Sequence, residues 1–408
     1  MALTINEVVT KTESDRKPQL VETSTAKKET KPTMNPVNPL VSKFEEVQTY
    51  LNDTVYEKES EVESILALLI SKQHGFMLGA PGVGKSYLIN QVTQCFTDAH
   101  IFEKLMMATT TPEELFGPIS LAALRNDELK FNTKGYLSEA HVAFIDEIWK
   151  ANSQTSNSKL TLMNERKFHN GNQVVHSPLI SLFGASNELP NNASLEAIYD
   201  RFVIRMVVDK IHNPKNLIKM LTAKPGVPPK VLSLSLLEEA NALAKTVDVT
   251  PILETLVDLR SEIEGAANGE IYVSDRRWKM VLQYMQGLAV LRGATSLDED
   301  FFPLIANCLW SDPKHRAEVS SLLSRYASTA VSQADRLYDE SVALFDAANK
   351  CSAKELGPIY QQLKSNRGAI EGQIKEFPDK EVHIRKTLNK YDLAFEVVKD
   401  KYMKSVGL

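Results

Sequence analysis

The chain has 408 residues, enough for two or three domains and a sizeable core. Hydrophobic residues make up 43%, charged residues 24%, and the net charge is −5. That balance argues against a dedicated nucleic-acid binder, although a local basic pore would be hidden in such a sum. No apolar run approaches the roughly 18 residues of a membrane span, and no signal-peptide core is present. Cys95, Cys308 and Cys351 lack metal-ligand spacing, so reduced thiols and a cytoplasmic location are expected.

Residues 1–40 are rich in Lys, Glu, Thr, Ser and Pro and read as a disordered tail, because they bury too little apolar surface to offset ordering entropy. From 44 to 69 the spacing is helical, with Phe44, Val47 and Leu51 on one stripe and Val62, Ile65, Leu66 and Leu69 on another. Between the stripes, Val55 and Tyr56 are candidates for an adenine pocket or for ordinary core packing. Apolar runs at 74–79, 101–107, 142–146, 179–186 and 202–208 alternate with helical or mixed segments. This pattern predicts an α/β domain over 41–210, with a parallel five-stranded sheet and helices on both faces.

The first run ends in Gly79-Ala80-Pro81-Gly82-Val83-Gly84-Lys85-Ser86, followed by Tyr87 and a helix-compatible stretch. This is the phosphate-loop pattern: its glycines let backbone N–H groups surround a phosphate, and the helix that follows adds its positive end. Lys85 is suited to bridging the β- and γ-phosphates of ATP, and the Ser86 hydroxyl to coordinating Mg²⁺. His141-Val142-Ala143-Phe144-Ile145-Asp146-Glu147 reads as a buried strand that delivers two carboxylates to that site, Asp146 for the Mg²⁺ shell and Glu147 to deprotonate the attacking water. Asn187, closing another apolar run, fits either a water-orienting amide or a turn former. Arg201 ends a short helical stretch and fits either a guanidinium offered to a neighbouring subunit or a surface ion pair with Asp200.

From 211 to about 298 the pattern is helical and reads as a small α-helical lid, with Leu234, Leu237, Ala240, Leu243 and Ala244 on one face. From 299 to 408 the chain stays helical. Two long segments, about 353–377 and 381–404, are broken by Pro378-Asp379 and predict an antiparallel hairpin within a C-terminal stalk or bundle.

Taken together, the residues resemble the AAA+ ATPases of the MoxR family, most closely its RavA-like branch. The resemblance covers roughly 45–295. Beyond the phosphate loop it is carried by Thr111-Pro112-Glu113-Glu114-Leu115-Phe116-Gly117-Pro118, Lys134-Gly135-Tyr136-Leu137, Phe144-Ile145-Asp146-Glu147-Ile148-Trp149-Lys150-Ala151, Asn164-Glu165-Arg166, Ala185-Ser186-Asn187-Glu188-Leu189-Pro190 and Tyr199-Asp200-Arg201. It implies that residues 79–86 are Walker A, Asp146 and Glu147 Walker B, and Asn187 sensor 1. Arg201 would then be the arginine finger acting in trans, with Arg205 as a substitute, and Arg276 in Ser274-Asp275-Arg276-Arg277-Trp278 would be sensor 2.

The resemblance further implies a hexameric ring that remodels a protein client beside a von Willebrand factor A-domain (VWA) partner. It implies two insertions, a helix-2 insert at 116–135 with Leu121, Leu124 and Arg125 toward the pore, and a hairpin within 164–180 turning at Asn170-Gly171, where His169 is a hairpin residue and not a metal ligand. Two departures stand out: the helix over 152–162 is polar at Gln154, Thr155, Ser156 and Lys159, and Met106-Met107-Ala108 lacks an arginine common in that branch. The stretch 352–358 leaves no room for the small domain that some relatives insert in their stalk. Two other readings keep the fold: a nucleic-acid-dependent motor, disfavoured by the few cations in both insertions, and a scaffold that assembles on nucleotide.

Overall fold

The computed structural model describes residues 39–150, 161–224, 226–351 and 353–405. Each of the five apolar runs is a strand: β1 His74–Leu78, β2 Ile101–Leu105, β3 Val142–Asp146, β6 Ser181–Ser186 and β7 Phe202–Val207. They form one parallel sheet in the order β2-β3-β6-β1-β7. Between β3 and β6 the chain adds an antiparallel hairpin of β4 Lys167–Asn170 and β5 Gln173–His176.

Side chains alternate across a strand, and here neighbouring residues divide between two cores. Met77, Val142, Phe144, Phe183 and Ala185 enter one, while Phe76, Ala143, Ile145 and Leu182 enter the other. That is why these strands read as unbroken apolar runs and not as alternating ones. The helix Glu59–Ser71, buried from Val62 onward, lies between the first face and the helix Asp275–Leu291.

The expected boundary at 298 shifts. Phe301, Phe302, Ile305, Leu309 and Trp310, with Val319, Leu322 and Leu323, share the core of the sheet and of the helices expected to form the lid. A separate core begins only at Ala330, and it is a bundle of three helices, Thr329–Lys350, Ala353–Glu376 and Glu381–Ser405, the last two being the segments expected on either side of Pro378-Asp379. Buried charges tie this bundle to the rest. Glu63 accepts from Arg292 at 3.0 Å and also from Lys386, while Lys380 reaches Asp298 at 3.0 Å and Asp300 at 2.9 Å. Burial alone would raise the Glu63 carboxyl, but Arg292 and Lys386 hold it at about 2. His383 completes a cluster with Asp298 and Asp300 whose shape would suit a cation, and the Lys380 ammonium already serves as that cation.

The two insertions dock on each other. Phe131 donates its N–H to Asn170 Oδ1 at 2.6 Å and accepts from Asn170 Nδ2 at 3.0 Å, and the Phe116 and Phe168 rings stack at 4.7 Å. The hairpin turn lies one residue later than expected: Asn170 pairs with Gln173, leaving Gly171-Asn172 as the loop. Gly171 takes a φ of +63°, and a Cβ there would sit 2.3 Å from the Leu129 carbonyl oxygen, so only glycine permits this contact. Leu121, Leu124, Leu129 and Val174 remain exposed. At the hairpin base, Arg166 donates to the carbonyls of Lys72 at 2.7 Å and Ile180 at 3.2 Å.

The polar stretch at 152–160 lies outside the described residues. Among the described residues, no helix is long and apolar enough to cross a membrane.

Candidate functional site

In a parallel sheet the carboxyl ends of the strands point to one edge, and loops gather there. β1 and β6 end in register, Leu78 opposite Ser186, and Gly79 donates to the Ser186 carbonyl at 3.1 Å. The loop then turns through Gly82 and Gly84, at φ of +81° and +96°, a conformation a Cβ would strain, into the helix Lys85–Gln94. Lys85 is buried and bends back over the loop, its ammonium donating to the carbonyls of Gly79 at 2.7 Å and Ala80 at 3.1 Å. Ala80, Pro81 and Val83 complete the cradle.

β3 brings the acids. The Ser86 hydroxyl donates to Asp146 Oδ2 at 3.0 Å, and the Glu147 N–H donates to Asp146 Oδ1 at 3.0 Å. Two hard oxygen donors held together beside an anion cradle suit Mg²⁺. Glu147 adopts φ +52°, a strained value for a non-glycine residue, with its carboxylate 3.3 Å from the Lys150 ammonium. Asn187 is exposed immediately after Ser186, beside the loop.

A cavity of about 1170 Å³ opens next to the loop. Gly82, Val83, Gly84 and Tyr87 line one side, Tyr50 and Tyr56 another, and Ile211, His212, Leu217 and Met220 a third. Tyr56 is therefore where a nucleobase wall would be. Val55 is not: it is 5% exposed and belongs to the hydrophobic core, because the chain turns between the two residues.

The arginines occupy the opposite end of the sheet. Arg201 immediately precedes β7, whose first residue Phe202 pairs with His74 at the start of β1. The run from Arg201 to Val208, which reaches the phosphate loop, covers about 20 Å at roughly 3.3 Å per residue. That is more than an arginine side chain spans. Arg201 is half-buried, donates to the Ala197 carbonyl and keeps its Nε without a partner. Its guanidinium is held below its ordinary range by burial and then by the nearby Arg276 charge.

Arg205 corrects the expectation that it could substitute for Arg201. It is fully buried, donates to the Trp310 and Tyr199 carbonyls, and stacks 4.1 Å over the Tyr199 ring, so no neighbouring chain reaches it. Arg276 is exposed and lies beside Arg201, not over this chain's own loop, whereas Arg277 is buried and ion-paired with Asp200 at 2.7 Å. Ser274 connects the two elements: it caps the helix Asp275–Leu291 by accepting from Arg277 N at 3.2 Å and donates to Asp200 Oδ2 at 2.9 Å. Neither this Asp200 yoke nor the role of Glu57 described below has a local sequence signature, since their partners lie 74 and 155 residues away.

The chain is similar to two described families and to several known proteins. Residues 42–230 match the family described as the MoxR domain in the MoxR-vWA-beta-propeller ternary systems, and residues 251–323 match an AAA lid domain. An uncharacterized protein of Methanocaldococcus jannaschii is 35% identical over 73% of this chain and 79% of its own length. A second from the same organism is 33% identical over 88% of this chain and 96% of its own length. A solved structure from Cytophaga hutchinsonii, assigned as an ATPase, superposes with a TM-score of 0.57 at 16% identity, covering 71% of this chain and 95% of that one, which supports the fold alone.

Proposed function

Because the chain belongs to the MoxR-type AAA+ ATPases, we propose that it hydrolyses ATP at contacts between copies of itself and uses the resulting motion to remodel a protein client. The loop at 79–86 holds the phosphates, with Lys85 leaving its carbonyl partners for the β- and γ-oxygens. Ser86 and Asp146 would hold Mg²⁺, which would supply charge neutralisation on those oxygens. Glu147 takes the proton of the attacking water while Asn187 orients that water. Arg201 and Arg276 serve the nucleotide of the adjacent copy.

One observation carries the reading. The cradle with its carboxylates lies at the carboxyl end of β1 and β3, while the half-buried Arg201, with Arg276 beside it, lies before the amino end of β7, which supports a site shared between two copies. A closed ring, six copies in this proposal, makes every half complete. Movement of the lid expected over 211–298, linked to the arginine end through Ser274 and Asp200, would carry the motion. The family description favours a VWA-domain protein as partner.

Glu147→Gln tests the chemistry. The variant is expected to bind ATP with unchanged affinity while steady-state turnover falls by about 10²–10⁴, the usual contribution of a positioned base. Full turnover by this variant would remove Glu147 from the mechanism.

A further inference from the structure

After β7 the chain folds back across the cavity beside the phosphate loop, running through Lys210, Ile211 and His212 into the helix Pro214–Thr222 and on to Val227. None of the residues in this helix is buried: Leu217 and Met220 line the cavity, while Ile218 and Leu221 are 60% and 71% exposed. A segment without core side chains opens at small free-energy cost, so polar ties decide where it rests.

Those ties converge on one residue. Glu57 Oε2 accepts from the His212 N–H at 2.7 Å, and Glu57 Oε1 accepts from the Asn213 N–H and from Asn216 Nδ2, both at 2.9 Å. The adjacent Lys58, itself buried, donates to the Asp209 carbonyl at 2.7 Å. Glu57 holds a left-handed φ of +60°, which places its carboxylate on the flap and the preceding Tyr56 on the cavity wall. Partial burial would raise its carboxyl, but the three donors outweigh it and keep the group below its ordinary range.

We propose that Glu57 is a positioning residue for the nucleobase, stapling the 210–224 flap over the slot between Tyr56 and Tyr87 so that a purine base beyond the phosphate loop is enclosed. The inference rests on the nucleotide reading given above and adds to it the element that grips the base. Glu57 touches neither phosphate nor base and acts only through the flap.

The test separates base from phosphates in the full-length protein with Mg²⁺. Binding of a non-hydrolysable imido analogue of ATP is compared with binding of inorganic tripolyphosphate, which has no base for the flap to hold. For Glu57→Gln the ATP-analogue Kd is expected to rise about tenfold, as it would if the seated flap fell to a tenth of its population. Tripolyphosphate affinity should stay within about twofold of the parent, and Asn216→Ala, which removes one tie, should give a smaller shift in the same direction. Unchanged affinities in Glu57→Gln, or a parallel loss of both ligands, would overturn the proposal. Lys85→Ala should lose both ligands; if it loses neither, the phosphate-loop reading falls first and takes the flap with it.

Discussion

The two ends of the central sheet differ in how fully they satisfy themselves. At the carboxyl end Lys85 is paired with the carbonyls of its own loop and Ser86 with Asp146, while the buried Glu147 Oε2 lacks a hydrogen-bond partner. At the amino end Arg201, Arg205, Arg276 and Arg277 gather around Asp200, and the Nε atoms of Arg201, Arg205 and Arg277 are buried without partners. Crowded like charges are unfavourable alone and become favourable beside an anion. On the proposed function, one end would bind in a single chain, and the other would gain most from a polyphosphate held by a neighbouring copy, since its own chain's loop lies about 20 Å away.

The largest effect should come from removing the Arg201 guanidinium. Arg201→Ala is expected to retain ATP affinity and lose about 10³-fold or more in turnover, the usual worth of an arginine finger. Mixing sharpens the comparison. Lys85→Ala chains have no working cradle but an intact Arg201, and Arg201→Ala chains have the reverse, so turnover should reappear when two inactive preparations are combined. If the mixture stays inactive while mixed particles demonstrably form, the two ends do not meet across a subunit boundary.

Arg276→Ala should cost less. It removes one charged donor, worth about 1.5–3 kcal/mol if its hydrogen bond is made in the transition state, or roughly 10–100-fold in turnover. Because Arg276 lies beside Arg201, the loss should appear in the neighbour's hydrolysis and leave ATP affinity of the substituted chain intact. Weakened binding in that chain would instead place Arg276 over its own nucleotide.

Sequence reading succeeded where the physics is local. A buried parallel strand is an apolar run, a phosphate loop is a fixed glycine spacing, and a carboxylate pair at a strand tip follows from where the run stops. All five strands and the cradle were therefore legible. It failed where a partner lies far along the chain. Val55 and Tyr56 are adjacent and each suits a pocket wall or a core, and only the turn between them sends one to the core and the other to the cavity. The segment 299–324 reads as generic helix, and only packing places Phe301 and Trp310 against the same core as the sheet.

Arg205 gives the smallest expected effect on turnover and the sharpest contrast with Arg201. Arg201 precedes β7 while Arg205 lies inside it, opposite Phe76, and the sequence offered Arg205 only as a substitute; Trp310, 105 residues onward, closes over it. Burial lowers the Arg205 guanidinium to about 9, with Arg277 adding to the shift, and both terminal nitrogens are engaged with carbonyls. Its work is to hold the 299–310 segment on the sheet. Arg205→Met, which keeps the aliphatic stem over Tyr199 and leaves the Trp310 and Tyr199 carbonyls without a donor, should cost about 1–3 kcal/mol per stranded group in stability. Turnover per folded molecule should stay within about twofold, because no reacting group is touched. Thermal melts read the first quantity and active-site-normalised ATPase rates the second. A fall in rate matching that of Arg201→Ala, with the melt unchanged, would show that Arg205 reaches the neighbouring nucleotide despite its burial here.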